Sequence, residues 1–137
     1  MTLIICGIVS LGQSQINVSG IVNAYYPVTA ISGNTITVGT RTGATHTLAV
    51  GDKVLLIQMT GNTAANGGKF EYANVTAVSG SSVTVDVINR AYSPSTEKVQ
   101  LVWVPYDATS ITVTGKTYAR NWNGRTGGIV ALLTPGT

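Results

Sequence analysis

Apolar and small polar residues alternate through much of this chain, and one stretch of the alternation occurs twice. Val28-Thr-Ala-Ile-Ser-Gly-Asn-Thr-Ile-Thr-Val38 returns as Val75-Thr-Ala-Val-Ser-Gly-Ser-Ser-Val-Thr-Val85, an offset of 47 residues. The copies differ by Ile/Val exchanges and by Asn34-Thr35 against Ser81-Ser82. Alternation on both sides of a Ser-Gly-(Asn/Ser) centre predicts a β-hairpin in each copy. Gly33 and Gly80 supply the positive φ that a tight hairpin turn requires. Val, Ile and Thr stiffen the arms at χ1 and favour pleated backbone.

The repeat continues in a weaker form. Val54-Leu-Leu-Ile-Gln-Met59 follows Asp52-Lys53, and Val99-Gln-Leu-Val-Trp-Val104 follows Glu97-Lys98, now at an offset of 45. The near-continuous apolar run predicts strands buried on both faces. The unit is therefore hairpin, loop, acidic-Lys turn and core strand. Two units burying their faces against each other predict an all-β fold, a small antiparallel β-barrel or sandwich.

Outside the repeat, residues 15 to 25 read as a strand with Ile16, Val18, Val22 and Ala24 alternating and Gly20 at a bulge. His46 to Val50 reads as a short strand, and Thr109 to Thr114 alternates again. Lys116 to Gly127 reads as a loop. Gly128-Ile-Val-Ala-Leu-Leu133 reads as a last apolar strand leading into further β structure. The expected organisation is a signal peptide over 1–14, a duplicated β module over 15–107, and the truncated start of a following β region over 108–137. A severed last strand would also leave an edge open to self-association.

Composition narrows the setting. Charged residues make up only 9% of the chain, against about a quarter in typical domains. Residues 3 to 11 form an apolar run too short to span a membrane but suited to a secretory signal, with cleavage before Gln13 or Gln15. Its removal would take Cys6 with it and leave no cysteine and no membrane span. The expected location is extracellular or at the cell surface. The net charge of +3 arises from Lys116, Arg120 and Arg125, a stretch without an acid. That is too sparse for a nucleic-acid surface.

Little in the chain carries catalytic chemistry. His46 is the one histidine, so neither a zinc site nor a cofactor is expected. Asp52, Glu71, Asp86, Glu97 and Asp107 are scattered singly, and Asp52 and Glu97 hold equivalent turn positions. No nucleophile motif or phosphate-binding glycine loop occurs, and no enzymatic activity is expected. Trp103 falls on a core strand and reads as structural. The aromatic and basic cluster Tyr118, Arg120, Trp122 and Arg125 is the candidate ligand contact, with Trp122 capping the barrel core as the alternative.

The segments together resemble the N-terminal module of large secreted, adhesin-like surface proteins of Bacteroidota exported by the type IX system. The resemblance rests on Asn23-Ala-Tyr-Tyr-Pro-Val-Thr-Ala-Ile31, Val50-Gly-Asp-Lys-Val-Leu-Leu-Ile-Gln-Met59 and Tyr72-Ala-Asn-Val-Thr-Ala-Val78. Lys98-Val-Gln-Leu-Val102 and Trp122-Asn-Gly-Arg-Thr-Gly-Gly-Ile129 complete it. It implies a non-enzymatic structural or adhesion module whose partners are downstream domains of the same polypeptide. A glycan or another surface protein is a further expected partner. A carbohydrate-binding module using the Trp122 loop and a non-catalytic part of a secreted hydrolase are the alternative readings.

Overall fold

Both repeat copies form the expected hairpins, and the two hairpins are built alike to the level of single hydrogen bonds. The computed structural model describes residues 15–63, 66–106 and 110–134. The expected signal segment, with Cys6, and Asp107 lie outside them. Strands β2 (Ala24–Ser32) and β3 (Thr35–Val38) form the first hairpin, and β6 (Phe70–Ser79) and β7 (Ser82–Val85) the second. Gly33 and Gly80 each turn the chain at φ 58°. Each hairpin has a bulge at the same place, between Val28 and Ala30 and between Val75 and Ala77. The bulged Thr29 and Thr76 donate their hydroxyls to the Thr37 and Thr84 carbonyls, both at 3.3 Å.

The hairpins meet through β3 and β7, with Ile36 opposite Val83, its own counterpart in the repeat. The core strands β5 (Lys53–Gln58) and β8 (Val99–Val104) pair antiparallel with Leu56 opposite Leu101, again a residue and its counterpart. A pseudo-two-fold axis therefore passes through both contacts. The strand order β3-β7-β6-β5-β8-β2 closes through β2–β3 into a six-stranded antiparallel barrel, and a short β4 (Thr42–Gly43) adds to β2. The symmetry slips where hairpin meets core strand. Tyr26 faces Leu101, whereas its counterpart Ala73 faces Val54 rather than Leu56. A slip of two residues keeps every side chain on its proper face.

Ala24, Tyr26, Val28, Ile36, Val54, Leu56, Ala73, Val75, Val83, Val85, Val99 and Leu101 fill the interior. One loop closes each end. Leu48 packs into the core from the first loop, and the His46 ring stacks on Trp103 at 3.8 Å between centroids. Ile88 and Tyr92 pack at the other end. There Gln58, the repeat counterpart of Trp103, donates to the Asn66 carbonyl and accepts from Ser93 N–H. His46 to Val50 forms no strand: Tyr26 Oη and Arg41 Nη1 both donate to the His46 carbonyl and hold that loop in place.

Outside the barrel stand a two-stranded sheet and a strap, and the strap covers the outer face of β2, β5 and β8. Strand β1 (Gln15–Ile21) pairs in parallel with β9 (Ser110–Tyr118); the register shifts next to Gly20, the expected bulge position, but the extra residues, 114–116 against Ser19, lie on β9. The strand expected at 109–114 thus runs on through Lys116 to Tyr118, and the loop begins only at residue 119. The apolar stretch Gly128–Leu133 corrects another expectation, since it forms no strand. Among the described residues its one bridge joins Leu133 to Tyr106. Residues 120–133 instead run as a strap across Tyr25, Leu55, Val102 and Val104, onto which Ile129, Ala131 and Leu133 pack while Val130 faces outward.

Candidate functional site

The strap is anchored by side chains that imitate a β-ladder. Asn23 is fully buried; its amide donates to the Ala131 carbonyl at 2.7 Å and accepts from Ala131 N–H at 2.9 Å. Gln100 is fully buried and makes the same two-way pair with Gly127, both bonds at 3.0 Å. Tyr25 Oη donates to the Ile129 carbonyl at 2.6 Å. Burial raises the pKa of the Tyr25 phenol, which keeps it a donor. A buried carboxamide presents one donor and one acceptor side by side, as a peptide edge does, so it satisfies a strap that lacks a partner strand.

Within the strap, Asn123 Oδ1 accepts from Arg125 and Thr126 N–H and folds a tight turn. Gly127, at φ 101°, lies so close to the Arg120 and Asn121 carbonyls that a Cβ there would come within 2.8 Å of both. Thr126 is buried and hydrogen-bonded to Thr42 at 3.2 Å.

The four candidate contact residues separate. Tyr118, Arg120 and Trp122 line one groove of about 350 Å³, together with Ile21, Asn121 and Asn123. Tyr118 is 48% and Trp122 41% exposed, so Trp122 does not cap the barrel core; Trp103 and His46 hold that position at one end. Arg125 turns the other way, and its guanidinium donates to the Val99 and Val28 carbonyls. Asn121 and Asn123 flank Trp122 in sequence and were open to inclusion on that ground. Ile21 reaches the groove only through the parallel β1–β9 pairing, which no local pattern announces.

The groove backbone is pinned from behind. Arg120 N–H points at Tyr25 Oη at 3.4 Å, and the Arg120 carbonyl accepts from Gly128 N–H at 2.8 Å. Among the described residues, the Arg120 guanidinium, the Asn121 amide and Asn123 Nδ2 have no protein partner, so the groove presents donors and aromatic faces.

The acids serve other places. Asp52 accepts from Ala49 N–H and pairs with His46 Nε2 at 2.8 Å. Glu71 accepts from Asn89 and Arg90 N–H and from Tyr92 Oη. Burial first, and then this carboxylate, push the Tyr92 phenol pKa well up. Asp86 accepts from Asn74 and Val87 N–H, and the Asn74 bond, first of its causes, holds the carboxyl below its usual range. Glu97 accepts from the Thr60 hydroxyl. Among the described residues no three His, Cys, Asp or Glu side chains gather as a metal site, and no helix is long and apolar enough to cross a membrane.

Comparison with protein-family models, curated proteins and solved structures finds no match to this chain.

Proposed function

We propose that the chain is a non-enzymatic structural or adhesion module of a larger extracellular surface protein. The strap carries the reading. Its Trp122-to-Ile129 segment also bears the resemblance to secreted surface modules, and its residue types serve to lock it onto the barrel. Asn123 folds the turn, Arg125 reaches two barrel carbonyls, and Gly127 pairs with Gln100. The four described acids add support, each holding backbone or hydroxyl groups of a loop. The test is removal of residues 15–134 from the full-length polypeptide in its own cell. Loss of surface attachment with secretion intact is the expected result. Unchanged attachment, or turnover of a hydrolase substrate by the purified chain, overturns the reading.

A second reading, a carbohydrate-binding module, is favoured by the pinned groove, in which exposed Tyr118 and Trp122 stand beside unpartnered polar donors. Aromatic faces bury the apolar face of a sugar ring while donors fix its orientation.

A further inference from the structure

The charge in the groove narrows the ligand. Arg120 is the one ionisable cation among the lining residues, and no acid lines the groove beside it. The neighbouring basic residues do not share its role, since Arg125 is committed to the Val28 and Val99 carbonyls and Lys116 is not a lining residue. The main chain of Arg120 is held on both sides. Arg120 N–H is directed at Tyr25 Oη and its carbonyl holds Gly128 N–H. The fork therefore starts from a fixed base, next to two further unpartnered donors, Asn121 and Asn123 Nδ2. A planar fork of N–H groups suits a carboxylate, and a charge-assisted pair is the stronger kind of hydrogen bond. The volume of about 350 Å³ falls within the range of ligand clefts, roughly 300–1,000 Å³.

We infer that the groove binds an acidic saccharide, with a uronate carboxylate on Arg120 and sugar faces on Trp122 and Tyr118. This rests on the carbohydrate-binding reading and goes beyond it by naming the charge. The donors Asn121 and Asn123 then serve ring hydroxyls or the second carboxylate oxygen.

Calorimetric titration of the whole chain with a galacturonic acid hexamer and with a neutral xylose hexamer tests it. The acidic hexamer is expected to bind on the order of tenfold or more tightly than the neutral one. Arg120→Gln is expected to remove that preference and leave neutral binding in place. Trp122→Ala is expected to abolish both, and Lys116→Gln to change neither. Thermal unfolding of each variant verifies folding, and Tyr118→Ala stands in should Trp122→Ala fail to fold. Equal binding of both hexamers, lost in Trp122→Ala, overturns the acidic preference and leaves the carbohydrate reading standing. Acidic binding that survives Arg120→Gln also overturns the inference. No binding of either hexamer by the wild type overturns both.

Discussion

Gln100 grips the backbone of Gly127 from inside the molecule, donor to carbonyl and acceptor to N–H, each at 3.0 Å. Its counterpart in the first repeat is Leu55, so Gln100→Leu imposes on one copy what the other already has. The change leaves two buried backbone groups of the strap unsatisfied. It is expected to cost about 2–5 kcal/mol and to expose the strap. Trypsin should then cut after Arg120 and Arg125 faster than in the wild type, and a mass-spectrometric time course reads this directly.

Asn74 and Asp86 are the second copy's version of Pro27 and Gly39. In both copies the later residue's N–H donates to the earlier carbonyl, Gly39 to Pro27 at 2.8 Å and Asp86 to Asn74 at 2.9 Å. Pro27 has no N–H and needs no acceptor; Asn74 has one, and Asp86 Oδ1 takes it at 3.0 Å. Asp86→Gly alone strands that N–H and should destabilise by about 1 kcal/mol. Adding Asn74→Pro recreates the first copy and is expected to recover most of the loss, a coupling visible in a double-mutant cycle of urea midpoints. The depressed Asp86 pKa adds stability above the usual carboxylate range that fades as pH falls through the folded value. The glycine variant should lack that part of the acid limb.

Alkali is expected to weaken the fold. Tyr25, Tyr26 and Tyr92 all have phenols raised above 10.0 chiefly by burial. Their stabilisation is fully present below the unfolded value and is lost as pH rises past it, because only the unfolded chain then ionises freely. Melting temperatures measured from about pH 8 to about pH 11 should fall steeply in the upper half. Tyr92→Phe should flatten that fall, since Tyr92 carries the largest shift and also faces Glu71.

The two hairpin turns should respond equally. Gly33 and Gly80 share φ 58°, and a Cβ on either would meet no atom within 4 Å. Ala at either position therefore carries backbone strain alone, about 1–2 kcal/mol. Thermal shifts of matching size in Gly33→Ala and Gly80→Ala are the expected outcome. A large difference would mean that the turns are not equivalent in solution.

Much of this arrangement was readable residue by residue. The hairpins, their turns and both core strands follow from local periodicity, which reports which face of a strand is covered. Gly128–Leu133 shows the limit of that signal. The inward Ile129, Ala131 and Leu133 and the outward Val130 obey strand alternation, yet the backbone is met by the Asn23 carboxamide at Ala131 and the Tyr25 phenol at Ile129, both far away in sequence. Periodicity does not say what satisfies the backbone. The groove was half legible for the same reason: Tyr118, Arg120 and Trp122 lie together along the chain, while Ile21 arrives through a parallel pairing. Arg125 has the composition of a binding residue and the geometry of a brace. His46 looked isolated in the sequence and is a ring stacked on Trp103, held by Asp52.

The strand order has a consequence for assembly. Each core strand is inserted between strands of the opposite copy or beside its own mirror image: β5 between β6 and β8, and β8 between β5 and β2. Neither half can complete a ring from its own strands. A peptide holding one copy would find the missing strands only in a second molecule, so its folding would be a bimolecular reaction governed by concentration. Joining two such peptides by a linker would reproduce the strand order of the present chain, with the encounter between them converted into an intramolecular step.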